Sequence, residues 1–208
     1  FHFRLSLLPA VFLYLTLIFQ TWGLKTTTAT NSSFITTIYV ILVPMIRSFS
    51  GQEKLSSRGW LSVFLALVGT AFIVQVQNIK SVNIGDVLTL ICAFAAAFHL
   101  LTMGKIAPRS HNDFATNTFQ SFWVALFSLS LLPVENQWSL AGLDSLAWIG
   151  LIFLALGSSL IAFYLQVRAQ KKVSPSVAGI MFLLESPFAC LFAFVFLGEL
   201  FNLWQWLG

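Results

Sequence analysis

Residues 84–104, IGDVLTLICAFAAAFHLLTMG, decide how this chain is read. The only Asp, Glu, Lys or Arg in the run, Asp86, stands third from its start. A helix rises 1.5 Å per residue, so about 20 apolar residues cross the hydrocarbon core of a bilayer. Backbone groups left unpaired in lipid are too costly, so the spanning element is a helix or a closed barrel. This run is too long and too uniformly apolar for a barrel strand, whose side chains alternate between lipid and lumen.

The rest of the chain repeats the pattern. Of its 208 residues, 58% are hydrophobic and 9% charged, and the mean hydropathy is +0.86. An ordinary soluble domain is about a quarter charged, so so few charges cannot cover a water-facing surface. Disorder is excluded too, because it needs low hydrophobicity and high charge. The 22 Phe and 7 Trp suit lipid contact and interfacial belts. Apolar length places spans at 5–23, 30–49, 58–76, 84–104, 114–133, 145–167 and 173–197, with a last one beginning near 202. The expected fold is all-α, a polytopic transmembrane helical bundle of seven to eight helices. Residues 1–23 are too long, and lack the small-residue cleavage pattern, for a signal peptide. A chain that opens on Phe1 and stops inside an apolar run reads as part of a longer protein.

Nearly every charge lies between spans. The 11 bases and 7 acids leave a net charge of +4, but the bases form no stripe, and no nucleic-acid partner is expected. Counted on alternate sides, Arg4, Arg47, Lys54, Arg58, Lys105, Arg109, Arg168, Lys171 and Lys172 fall together, against Lys25 and Lys80. The positive-inside rule puts the basic side in the cytoplasm, and a cell (inner) membrane location is expected. Cys92 and Cys190 lie inside apolar segments and read as small buried hydrophobes.

The chain also matches itself at an offset of 146. Thr28 meets Ser174, Thr30 meets Ser176, Glu53 meets Glu199, Trp60 meets Trp206 and Leu61 meets Leu207, without a gap. The spans at 30–49 and 173–197 are five crossings apart, so the two copies point in opposite directions. An inverted repeat is a common construction of secondary transporters, in which rocking one half against the other opens a central site to each face in turn.

The residues then resemble a family. Gln20-Thr21-Trp22-Gly23-Leu24, with Thr27-Thr28-Ala29-Thr30-Asn31 and Phe34-Ile35-Thr36, is similar to the first-repeat signature of EamA-type permeases of the drug/metabolite transporter superfamily. Arg168-Ala169-Gln170 through Ser174-Pro175-Ser176, Leu184-Glu185 and Leu197-Gly198-Glu199 resemble the second. The resemblance implies ten helices in a five-plus-five inverted repeat with cytoplasmic termini. On that template residues 1–80 are the last three helices of the first repeat. Residues 81–208 are the second, about five helices with the last cut short. The pattern departs at Gly51-Gln52-Glu53, where Leu-Gly-Glu is usual, at Arg47 and at Ser186. The resemblance implies export of a small metabolite or drug-like solute by alternating access, in exchange for protons.

Polar residues within spans are the candidate substrate-binding or proton-coupling groups: Glu185, His99, Tyr39, Gln120, Gln20, Asn31 and Gln166. Glu185 is the one acid placed well inside a span; a charge there costs ~2.5–3.5 kcal/mol on insertion scales, so it should face the bundle interior. It reads either as a coupling or amine-binding carboxyl or as a group holding backbone near Pro187. His99 reads as a proton-passing imidazole or as a packed, hydrogen-bonded one. The amides and Tyr39 can bind a polar solute, or join helices at ~1 kcal/mol each. Tyr39 occupies the repeat position of Glu185, and Pro44 and Pro187 mark expected kinks. Gly69, Ala95, Ala96, Ala97, Gly157, Ser158, Ser159 and Gly179 are expected to let helices approach closely.

No phosphate-binding Lys-Ser/Thr loop, paired nucleophile and base, or His cluster at ligand spacing occurs, so neither ATP, another cofactor nor a metal is expected. The expected partners are a small-molecule substrate, protons and the lipid bilayer, with a monomer as the simplest assembly. The alternatives are a non-transporting scaffold or degenerate transporter copy and, third, an intramembrane enzyme.

Overall fold

A Thr-rich, β-branched run, Ile35-Thr36-Thr37-Ile38, interrupts one apolar span, and its consequence is visible in the computed structural model. The structure describes residues 1–27, 29–52, 54, 56–74, 83–131, 133, 144–184, 187–188, 191–192, 194–195 and 203–207. Among these every regular element is helical. In order they are α1 (His2–Leu5), α2 (Leu7–Leu24), α3 (Ala29–Thr36), α4 (Tyr39–Phe49), α5 (Ser57–Val74) and α6 (Ile84–Ile106). Then follow α7 (Asp113–Leu129), α8 (Ser145–Phe153), a π-helical stretch Leu154–Ala162, α9 (Phe163–Ala169), α10 (Pro175–Phe182) and α11 (Leu203–Leu207).

Four helical stretches are long and apolar enough to cross a membrane: Leu7–Leu24, Ser32–Phe49, Ile84–Arg109 and Ser145–Ala169. Ser57–Phe72 is a shorter apolar helix. The fold is an all-α polytopic bundle, as the apolar spacing predicts, and the protein is an integral multi-pass membrane protein.

The central element is α6. Its start is fixed by a capping box: Asn83 Oδ1 accepts from the Gly85 and Asp86 amides at 2.7 and 3.2 Å, and Asp86 Oδ2 accepts from the Asn83 amide at 2.8 Å. Two of the orphan amides of a helix N-terminus are thereby satisfied. Asp86, the lone acid of the opening stretch, is therefore a buried cap that also accepts the Thr27 hydroxyl.

Antiparallel to α6 runs α2, with Phe12 stacked on Phe98 at a centroid separation of 5.3 Å and Gly23 meeting the first turn of α6. A Cβ on Gly23 would stand 2.7 Å from Thr89 Oγ1 and 2.9 Å from the Gly85 carbonyl oxygen; one on Gly85 would strike the Gly23 carbonyl and Thr26 Oγ1. These two glycines let the helix ends touch backbone to backbone. Ala93, Ala95 and Ala97 are buried, while Phe94 and Phe98 are exposed on the outside, where lipid wets them. With no hydrophobic force between helices in lipid, small residues inside and large ones outside is the stable arrangement.

One packing expectation needs correction. Gly157, Ser158 and Ser159 lie in the α8–π-helical stretch, where no residue from Ser145 to Ala162 is buried. A Cβ on Gly157 would meet only its own helix, at Phe153, 3.9 Å away. The neighbour here, α7, reaches the Ser159 backbone through the side chain of Asn117 and not by close approach at these small residues.

Gly85→Val should lower stability by roughly 1–3 kcal/mol, the usual cost of overpacking, read as a lower thermal-unfolding midpoint in detergent. Gly150→Ala should not, since nothing lies within 4 Å of its added methyl.

Candidate functional site

Two helical stretches are locally interrupted, and two hydrogen bonds of one interruption match two of the other, although the Thr37 amide also keeps an ordinary helical bond to Ser33 O at 3.3 Å. Helix α3 has eight residues and ends in a two-residue turn at Thr37-Ile38; α10 has eight and ends in a turn at Leu183-Leu184. In the first break the Thr37 amide donates to Phe34 O at 3.1 Å and the Ile38 amide to Ile35 O at 3.1 Å. In the second the Leu183 amide donates to Ile180 O at 3.2 Å and the Leu184 amide to Met181 O at 3.1 Å. Each residue of the second set is 146 beyond its fellow in the first. Bonds to the third residue back tighten the helix and leave carbonyls without their usual donor.

The broken spans pack together antiparallel. Val40 with Tyr39 and Ile41 shares a cluster with Leu183 and Ile180, while Val43 with Leu42 and Ile46 shares one with Ala178 and Val173. Tyr39 follows its break directly and lies against Gly179, where an added Cβ would stand 3.9 Å from the phenol ring and 3.4 Å from Leu100 Cδ2. Its repeat fellow Glu185 lies outside the described residues, as do Cys190, Glu53, Lys80, Glu135, Ser186 and Glu199. Pro187 lies in a helical segment immediately after that position. Asn31 is helical in backbone. Gln20 is half-buried on α2.

The other candidates fall into two buried polar groups flanking α6. In the first, His99 Nε2, in its protonated tautomer, donates to Gln120 Oε1 on α7 at 3.2 Å, and the imidazole meets the Phe163 ring edge-on at 6.0 Å. In the second, Gln166 Nε2 donates to Gln170 Oε1 at 3.4 Å, and Gln170 Nε2 donates to the Leu100 carbonyl at 3.0 Å. The structure thus joins His99 to Gln120 and links Gln166 to α6 through Gln170, and sets Tyr39 apart on the α4–α10 seam.

The sequence reading missed Asn117. Its Nδ2 donates to the Ser159 and Leu160 carbonyls at 3.0 and 3.1 Å, holding the π-helical stretch against α7. A π-helix shifts the backbone ladder by one residue, and such shifts recur at functional sites. The signal was present: Asn117 and Gln120 share one face at i, i+3. Both are buried, and Asn117 Oδ1 and Gln120 Nε2 have no partner among the described residues. The pair offers an acceptor and a donor to water or a polar group. Among the described residues no cluster of metal-ligating side chains occurs. Outside the bundle centre, Lys171 pairs with Asp113 and ties the turn before α10 to the start of α7.

Residues 83–208, more than half of the chain, match the model of the EamA-like transporter family. The chain belongs to the EamA-like transporter family. It is 33% identical over 193 residues to an uncharacterized transporter of Archaeoglobus fulgidus, covering 91% of this chain and 60% of that protein. It is 24% identical over 208 residues to one of Methanothermobacter thermautotrophicus, covering 97% and 57%. The chain therefore spans about three-fifths of the length of these relatives. A crystal structure at 16% identity superposes with a TM-score of 0.78, over 96% of this chain and 69% of that one, a likeness of fold. Within the family's signature, Gly23 is explained by its contact with Gly85 and Thr89, and Pro175 by its place at the first turn of α10, with Ser174 capping the Val177 amide.

Asn117→Leu should cost about 1–2 kcal/mol, the range of interhelical hydrogen bonds in lipid, measured by reversible unfolding in detergent. In a double-mutant cycle, His99→Phe and Gln120→Leu should be non-additive, whereas His99→Phe and Asn117→Leu should couple less.

Proposed function

We propose that the complete protein is a secondary transporter that moves a small metabolite or drug-like solute across the cell membrane by alternating access. The observation that carries the reading is the pair of helix breaks, 146 residues apart, in two antiparallel spans packed on each other. Broken helices near the bilayer centre free backbone carbonyls for a solute or ion, and two inverted copies supply two equivalent halves to rock. Relatives named as transporters favour this over catalysis.

In this reading residues 1–80 close the first repeat and 81–208 form the second. Tyr39 and Glu185 occupy equivalent repeat positions, 146 residues apart, which in this reading serve one central cavity. Glu185 exchanges a proton as the cavity changes sides, and the solute leaves the cell as the proton enters. The His99–Gln120 pair and the Gln166–Gln170 pair line or brace the path from α6. The basic loops face the cytoplasm, and the working unit is a monomer.

Two experiments test it. Glu185→Gln in the complete protein, reconstituted in vesicles, should abolish the dependence of solute flux on a proton gradient while membrane insertion stays normal; undiminished dependence overturns the coupling role. Single cysteines at Arg58 and Trp206 should react with an impermeant maleimide from opposite faces. Reaction from one face removes the inverted repeat.

A further inference from the structure

The π-helical stretch Leu154–Ala162 is nine residues long. Helices of this kind are rare and mostly confined to single turns, so its length needs a cause. Its own sequence supplies none: Leu-Ala-Leu-Gly-Ser-Ser-Leu-Ile-Ala has no proline, and Leu and Ala favour the ordinary α-helix. The cause lies on α7. Asn117 Nδ2 donates to two successive carbonyls, Ser159 O at 3.0 Å and Leu160 O at 3.1 Å. A side chain that enters the backbone ladder is an established way to deform a helix. The contact leaves Asn117 half-satisfied. The residue is 1% exposed, and its Oδ1 has no partner among the described residues. Three residues on, Gln120 is fully buried and its Nε2 is equally without one. An acceptor and a donor thus stand unmet on one face of one helix, at a spacing where side chains are neighbours.

We infer that Asn117 is a latch that holds Leu154–Ala162 in the π register, and that turning Asn117 onto Gln120 releases the stretch to an α-helix and rotates α9. In the latched arrangement Asn117 Nδ2 serves the two carbonyls while Asn117 Oδ1 and Gln120 Nε2 go unmet. In the released one Asn117 Oδ1 accepts from Gln120 Nε2, the two carbonyls return to the helical ladder, and Asn117 Nδ2 goes unmet. Gln120 Oε1 stays with His99 in both. Neither arrangement satisfies every group, which is the condition for a two-state element. Loss of the π register turns the chain beyond it by about one residue, or about 100° at 3.6 residues per turn. Beyond it lies α9, whose Phe163 meets His99 edge-on, whose Gln166 donates to Gln170, and whose Val167 packs with Met103 and Ile106 of α6. All three contacts are exchanged when α9 turns. Asn117 is therefore a positioning residue: it decides which side chains α9 presents to α6.

A nitroxide scan of residues 164–169, one label at a time in the complete gene product in lipid, reads the register. Gln166 and Val167 are buried between exposed Leu165 and Arg168, so mobility and oxygen accessibility should be lowest at 166 and 167. In Asn117→Leu that minimum should move by one residue along the chain. In Gln120→Leu, which removes the release partner, it should stay at 166 and 167. Should Asn117→Leu fail to insert, Asn117→Ser gives the same reading, because one hydroxyl proton cannot serve two carbonyls. A minimum that stays in place in the Asn117 variant, with mobility merely raised, overturns the inference and leaves Asn117 an ordinary interhelical hydrogen bond. A minimum that moves in Gln120→Leu overturns the role of Gln120 as release partner. The scan uses neither solute nor gradient, so it succeeds or fails apart from the transport reading.

Discussion

Every backbone amide and carbonyl within the hydrocarbon must find its partner inside the protein. That constraint turns each apolar run into a helix, and it makes any departure from the helical ladder costly unless protein surrounds it. The departures here obey it. The breaks at Thr37-Ile38 and Leu183-Leu184 replace lost bonds with shorter-range ones and lie on the seam between α4 and α10. At the π-helical stretch, two carbonyls are met by the side chain of Asn117 from the next helix.

Because lipid is as apolar as leucine, shape and polar contacts sort the helices, not hydrophobicity. Helix α6 holds the bundle because it is small on the faces that meet α2 and α4 and because polar groups join it to three neighbours. Thr89 reaches Ser32, His99 reaches Gln120, and its Leu100 carbonyl receives Gln170. Its own acid is occupied in capping. The bases lie at the ends of spans, and Lys171 is neutralised locally by Asp113. The membrane interior described here is thus polar through amides, hydroxyls and one imidazole, which join helices without carrying a fixed charge into lipid.

The repeat connects packing to function. Segments 146 residues apart carry matching three-back hydrogen bonds and pack antiparallel along the seam of α4 and α10.

The sequence by itself determined the fold class and the four long apolar spans at Leu7–Leu24, Ser32–Phe49, Ile84–Arg109 and Ser145–Ala169, because each rests on local pattern. Apolar length sets a span, and an offset of 146 is arithmetic. It also picked out His99, Gln120 and Gln166 as polar groups within spans. Which of these touch was beyond it, since His99 meets Gln120 only because α2 packs against both α6 and α7. Asn117 escaped notice because its partners are backbone carbonyls, which no residue type announces. Gly157, Ser158 and Ser159 were expected to pack closely, yet none is buried, and α7 reaches this stretch through Asn117 on the Ser159 carbonyl instead, because the pattern of one helix is silent about the next. Length and polarity are properties of a segment, whereas contact is a property of the assembled bundle, and only the tertiary structure decides it.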